Sequence, residues 1–190
     1  MKALIMKYIC WNIAGLRAKL KKGYLDFLLE EDFDVVCLQE TKGTAEQIEK
    51  VMSGDLKAAY PFRYWAACNG EGGQRKGLNG VAIWSKIKPR YQYNMAFATD
   101  EGRTLALDIG PYIIVCVYTP NSQYDGSERN EMREKEWDPM FRDWINNLNA
   151  KKPTIVCGDF NIARTDIDIA KPDKWEGAAG VLPGERANFE

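Results

Sequence analysis

Short apolar runs alternate with amphipathic stretches along most of the chain. MKYICWNI at 6–13 reads as a strand, and 16–30 follows as a helix with Leu20, Tyr24, Phe27 and Leu28 at helical spacing. DVVCLQE is a second buried strand, and a weaker helical pattern covers 44–52. From about Phe62 to Tyr118 the pattern turns to strands: FRYWAA, NGVAIWS, RTLALDI and YIIVCVYT, punctuated by glycines and Pro111. NGEGGQRKG, between the first two of these, reads as a positively charged flexible loop. A long helix is predicted from about Ser127 to Asn149, with Trp137, Met140, Phe141, Trp144, Ile145 and Leu148 on the face that packs on a sheet. Asp138-Pro139 marks a kink or restart in it. TIVC, with three apolar residues in a row, is the last strand and reads as the inside of a sheet. Beyond Asn161 the pattern is loop-like until GERANFE, which looks like a helix start. There are no repeats and no low-complexity segment, and the 190 residues read as one α/β domain with a mixed sheet system and helices packed outside.

Composition narrows the partners without naming one. The net charge is −1, so binding to a polyanion needs a local basic face rather than a global field. Candidates are Arg17, Lys19, Lys21 and Lys22, then Arg75 and Lys76, then Arg129 and Arg133, although such runs are ordinarily solvated surface. No apolar run approaches the ~20 residues of a bilayer span. The N-terminus lacks the pattern of a signal peptide, and Met6 is an alternative start. Five cysteines occur without a CxxC pair. Cys10, Cys37, Cys116 and Cys157 sit in apolar runs, where free cysteine behaves as a small buried hydrophobe. Buried reduced thiols suit a cytoplasmic or nuclear compartment.

The chemistry gathers at strand ends. YICW runs into Asn12, VVCL into Gln39-Glu40, IVCVY into Tyr118 and then Asn121, and TIVCG into Asp159 and Asn161. Any one of these is ordinarily a turn or cap residue. Four strands doing so together point to a ligand site at the carboxyl edge of a sheet. Glu40 and Asp159 would repel at close range unless a cation lay between them. All-oxygen ligands suit Mg²⁺ or Mn²⁺, and a chain with no histidine and no CxxC offers nothing for zinc. A hard cation, an orienting carboxylate, and amide or phenol donors together suit phosphate-ester hydrolysis.

The words WNIAGLR, LQETK, NGVAIWSK, EGR, YTPNS and GDFNIA, in that order, closely resemble the exonuclease III-type AP endonucleases of the endonuclease/exonuclease/phosphatase superfamily. The resemblance runs from about residue 6 to the last residue. It implies a four-layered, DNase I-like α/β sandwich and Mg²⁺-dependent cleavage of double-stranded DNA 5′ to abasic sites. Trimming of 3′ ends is a second implied activity, in an intracellular monomer. Carried over, Glu40 is the metal ligand, with Asn12 beside it supporting metal and phosphate. Asp159 orients or deprotonates the attacking water, Asn161 steadies the transition state, and Tyr118 faces the phosphate. Asp159 and Asn161 also fall within the metal's reach. Arg17, Lys42 and Asn121 lie where DNA-contacting or supporting residues lie, and Arg103 holds the site together.

The departures from that pattern are Ala14, where many relatives carry Asp or Asn, and Leu78-Asn79, where an aromatic-serine pair is common. The family also continues past the ERxxF word to a Trp-Arg-x-Asp word and a terminal Ser-Asp-His. The expectation is therefore a C-terminally truncated domain with one sheet edge unpaired, nearly inactive by itself. Two rival readings share the same residues: another metal-dependent phosphodiesterase or phosphatase of the superfamily, and a non-catalytic DNA-binding relative.

Overall fold

The computed structural model describes residues 6–70 and 76–190, so Arg75 and most of the NGEGGQRKG loop lie outside the described residues. Contacts divide the chain into two compact units. The first runs to Tyr118 and takes up the chain again for Lys152–Asp159; the second holds Thr119–Lys151 and Phe160–Glu190.

Two four-stranded sheets make up the first unit. One has the order β1 (Tyr8–Asn12), β2 (Val35–Gln39), β4 (Val81–Ser85), β3 (Phe62–Ala66). The other has the order β5 (Tyr91–Tyr93), β6 (Thr104–Asp108), β7 (Ile113–Tyr118), β8 (Thr154–Asp159). Each contains one parallel pair, β1 with β2 and β7 with β8, and its other pairings are antiparallel. The continuous apolar runs of β2 and β4 follow from burial on both faces. Val36, Leu38, Ala82 and Trp84 face a helical layer, packing with Leu16, Leu28, Ile48 and Leu56. Their alternates Val35, Cys37, Val81 and Ile83 face the other sheet, against Leu105, Leu107, Ile114 and Cys116. Burying each such side chain contributes about 1.5–3 kcal/mol.

The helical layer is more broken than its periodicity predicts. In place of one helix over 16–30 there are α1 (Leu16–Lys21) and α2 (Phe27–Glu31). Gly23 between them adopts a left-handed φ of 71° and closes the first helix with a bond from its N–H to the Leu20 carbonyl. Tyr24 consequently lies exposed. The weak 44–52 pattern is α3 (Ala45–Glu49), started by a capping box between Thr44 and Gln47. A helix not predicted, α4 (Gly54–Ala59), follows it, capped by Ser53.

β8 corrects the expectation drawn from its three apolar residues. It pairs only with β7, leaving Ile155 38% exposed. β1 likewise pairs only with β2, and Cys10 is exposed rather than buried. Both strands are sheet edges among the described residues, and edges leave one side of the backbone ladder open.

In the second unit a helical run extends from α5 (Glu128–Met132) through a π-turn at Arg133–Trp137 into α6 (Asp138–Asn149). Pro139 sits in the first turn of α6, where its missing N–H costs nothing. Of the predicted apolar face only Trp137 and Leu148 are fully buried, and Met140 is exposed. The final helix, α7 (Pro183–Phe189), is docked by Asn188, which donates to the Glu134 carbonyl at 2.9 Å. No helix among the described residues is long and apolar enough to cross a membrane.

Candidate active site

The two parallel strand pairs end at one edge of the first unit. Register pairs Asn12 with Gln39 on β1 and β2, and Tyr118 with Asp159 on β7 and β8, so each pair delivers its polar residues together. The Asn12 Nδ2 then donates to both acids: to Glu40 Oε1 at 2.9 Å and to Asp159 Oδ2 at 2.7 Å. Two carboxylates 119 residues apart in sequence thus share a single nitrogen. Asn12 is oriented from behind, because its Oδ1 accepts the Ala14 N–H at 3.1 Å. Ala14 therefore supplies a backbone donor even without the polar side chain expected there.

The loops after β1 and β2 run as a ladder. Gly15 N–H donates to the Glu40 carbonyl at 2.8 Å and Leu16 N–H to the Thr41 carbonyl at 3.1 Å. Thr41 and Lys42 donate in turn to the carbonyls of Gly80 and Asn79. That accounts for the segment containing Leu78-Asn79, whose backbone braces the loop bearing Glu40. Ala14, Glu40, Lys42 and Asn161 all adopt left-handed φ values between 46° and 52°. Such conformations cost about 1–2 kcal/mol each in non-glycine residues and persist where surrounding bonds enforce them.

The Lys42 ammonium lies 2.5 Å from Glu40 Oε2. Burial by itself would raise the Glu40 carboxyl. The hydrogen bonds from Lys42 and Asn12, the Lys42 charge and the Tyr118 hydroxyl outweigh it and hold Glu40 below its ordinary value. Tyr118 is pushed the other way: burial and the adjacent Glu40 charge raise its phenol, keeping it a protonated donor. Arg103 is buried, donates to the Tyr118 carbonyl at 3.1 Å and stacks 5.0 Å from its ring centroid. It also pairs with the buried Glu101. Arg17 lies exposed on α1.

Gly158, in GDFN, is fixed by steric contact. A Cβ there would sit 2.0 Å from the Val117 carbonyl oxygen, so only glycine lets β8 pair closely enough to align Asp159 with Tyr118. Gln39, the other polar strand end, is buried between the sheets and donates to the Cys116 and Cys10 sulfurs at 3.0 and 3.4 Å.

Asn161 and Asn121 belong to the second unit, where a buried ion pair missed in the sequence organises them. Arg133, predicted to be a solvated surface charge, is 2% exposed, and its partner Glu185 is 0% exposed. Arg133 Nη1 donates to Glu185 Oε1 at 2.7 Å and to the Asn161 carbonyl at 2.9 Å, and Nη2 donates to the Phe160 carbonyl at 3.0 Å. Glu185 also accepts from Ser122 Oγ at 2.6 Å and from the N–H groups of Gly180 and Leu182. The Asn161 amide itself donates to the Thr119 carbonyl at 2.7 Å. Asn121 is exposed, its Oδ1 accepting the Gln123 N–H at 2.8 Å. The only signals for this pair in the sequence are one arginine in a helical run and one glutamate after Pro183-Gly184, neither unusual by itself.

The donor set of the first unit suits a hard cation: two carboxylates, both oxygen ligands, already drawn together around the Asn12 amide nitrogen. No group of three or more His, Cys, Asp or Glu side chains is placed to hold a metal ion among the described residues. Mg²⁺ does not need one, since it is commonly held by one or two carboxylates, with substrate phosphate and water completing its shell.

Comparison with known proteins gives the family of the chain. The pattern of the Endonuclease/Exonuclease/phosphatase family matches residues 9–188. A DNA-(apurinic or apyrimidinic site) endonuclease of Dictyostelium discoideum is 36% identical over 187 residues, covering 97% of this chain and 49% of its own length. This chain therefore spans about half the length of that relative. An exodeoxyribonuclease of Bacillus subtilis is 37% identical over 188 residues, covering 97% of this chain and 69% of its own. Among solved structures, an AP endonuclease from Archaeoglobus fulgidus superposes with a TM-score of 0.81 at 22% identity, covering 97% of this chain and 68% of its own, a likeness of fold.

Proposed function

This chain belongs to the Endonuclease/Exonuclease/phosphatase family, and from that premise we propose that it carries the metal-dependent phosphodiesterase site of a DNA repair nuclease. The substrate is double-stranded DNA, cut 5′ to abasic sites, with 3′ ends trimmed as a second activity. The observation that carries the reading is the Asn12 amide bridging Glu40 and Asp159. A structural cap has no need of a second buried-edge carboxylate from another sheet, whereas a phosphate-hydrolysing site requires both.

Glu40 and Asp159 would hold Mg²⁺, for which Mn²⁺ is a substitute, with the Asn12 amide nitrogen keeping the two carboxylates together. When bound, the ion supplies charge neutralisation and polarisation at the phosphate. Asp159 orients the attacking water or takes its proton. Tyr118, kept protonated by burial and by Glu40, donates to a phosphate oxygen. Arg103 keeps that ring in place from behind. Lys42, beside Glu40, and the exposed Arg17 are the cations that would meet the DNA phosphates. Asn161 stabilises charge on the departing oxygen, and Asn121 supports the DNA beside it.

Calorimetric titration with Mg²⁺, paired with incision of an abasic-site duplex, tests this. The native chain is expected to take up Mg²⁺ with Glu40→Gln strongly weakened, and any incision activity is expected to vanish in Asp159→Asn. Equal uptake by native and Glu40→Gln chains would remove the metal site. Hydrolysis of a small phosphodiester with no preference for the abasic duplex would favour another phosphodiesterase of the family.

A further inference from the structure

The second unit contains an open recess of about 340 Å³ that no step above uses except at its rim. Asn121 and Asn161 line one side of it, and Trp175, Ile169, Ala163 and Val181 provide its apolar walls. The Trp175 indole is 50% exposed, an apolar face left half in water. Pro172–Lys174 form the tight turn that presents it, closed by a bond from the Trp175 N–H to the Pro172 carbonyl at 2.8 Å.

The recess is built on a fixed frame. Ala163 N–H donates to the Gly180 carbonyl at 2.7 Å across its floor. Three backbone segments beside that floor are tied to the buried Arg133–Glu185 pair: the Asn161 carbonyl through Arg133, and Gly180-Leu182 and Ser122 through Glu185. Preformed, mostly apolar concavities with a few polar groups are the usual form of a small-ligand site.

Charge indicates which ligand chemistry fits. Lys171 and Lys174 beside the indole are offset by Asp173 and Glu176, so the recess has no net positive charge with which to draw a phosphate. What it offers is a flat aromatic face, aliphatic walls and a carboxamide. The Asn121 oxygen is already used by Gln123, which leaves its N–H groups as the donors available to a ring acceptor. Aromatic faces bind bases by stacking, and asparagine reads base edges.

We propose that this recess binds an unpaired nucleobase, stacked on the Trp175 indole and held at its edge by Asn121. The inference rests on the nuclease reading in that the base belongs to the DNA being processed. It gives the second unit a role in substrate selection, favouring frayed or gapped DNA whose bases are free to enter.

The test uses the full 190-residue chain with two probes: a short single-stranded oligonucleotide and a base-free deoxyribose-phosphate chain of equal length. Trp175→Ala is expected to weaken oligonucleotide binding about tenfold, the range typical of one lost base stack. Trp175→Phe should stay within a few-fold of native, and the base-free chain should bind native and Trp175→Ala proteins equally. Oligonucleotide should also quench native fluorescence more than that of Trp175→Phe, a readout independent of how well the alanine variant folds. Unchanged oligonucleotide affinity in Trp175→Ala, or an equal loss for the base-free chain, overturns the proposal. Mg²⁺ uptake that depends on Glu40 without base-dependent binding defeats this inference and leaves the nuclease reading intact. Base-dependent binding without Mg²⁺ uptake supports this inference and defeats the metal site.

Discussion

Removing one partner of the buried Arg133–Glu185 pair is expected to unfold the second unit's frame, and the structure fixes the size of the effect. With Glu185 inaccessible and Arg133 nearly so, neither charge can recover hydration when the other is lost. Breaking such a pair costs about 3–5 kcal/mol, largely because an unpaired charge stays buried. Arg133→Met falls at the upper end, since it strands the Glu185 carboxylate and removes donors to the Phe160 and Asn161 carbonyls. Glu185→Gln falls at the lower end, because Asp138 lies 3.8 Å from Arg133 Nε and offers a substitute counter-charge. The double variant is expected to cost clearly less than the two single losses added, since it leaves no orphaned charge. Urea denaturation followed by tryptophan fluorescence and by circular dichroism measures all three. Single variants within about 1 kcal/mol of native, or strictly additive losses, would refute the argument by placing the pair in effectively solvated surroundings.

Three further outcomes follow from the geometry. Gly158→Ala is expected to lower stability by about 1–3 kcal/mol or more, the range for overpacking, by forcing β8 away from the Val117 carbonyl; a melting temperature equal to native would contradict the 2.0 Å contact. Burial raises the Asp138 carboxyl to about 6 against the pull of Arg133, so the folded chain holds that proton more tightly than the unfolded one. The associated stability is complete below the unfolded value near 4 and is lost as pH rises through about 6, by roughly 3 kcal/mol at most. Asp138→Asn should therefore flatten the stability profile between pH 4 and 6 relative to native, and parallel profiles would rule this out. Arg103→Lys, which keeps the charge but loses the planar stack on Tyr118, is expected to cost about 1–2 kcal/mol, measured by thermal melts. An unchanged melt would mean that the ring is positioned by other contacts.

Much of the fold was legible because alternation and helical spacing are local. VVCL and VAIW are apolar at every position, and both faces of those strands are covered. The 16–30 helix failed at Gly23, whose left-handed turn outweighed a matching apolar period. The tyrosine strand β5 was missed because three residues with two facing solvent carry almost no pattern. The exposure of Ile155 was invisible because an apolar run cannot say whether its strand is central or at an edge.

For the site, sequence alone establishes which side chains stand at the strand ends and in what order, since each closes its own strand or follows it by one or two residues. It could not determine that Asn12 and Asp159, 147 positions apart, share a hydrogen bond, or that Arg133 closes on Glu185 across 52. Those pairings depend on which strands become neighbours and in what register. That is decided by packing within each unit, and burial turns an ordinary arginine and glutamate into the scaffold of the second unit.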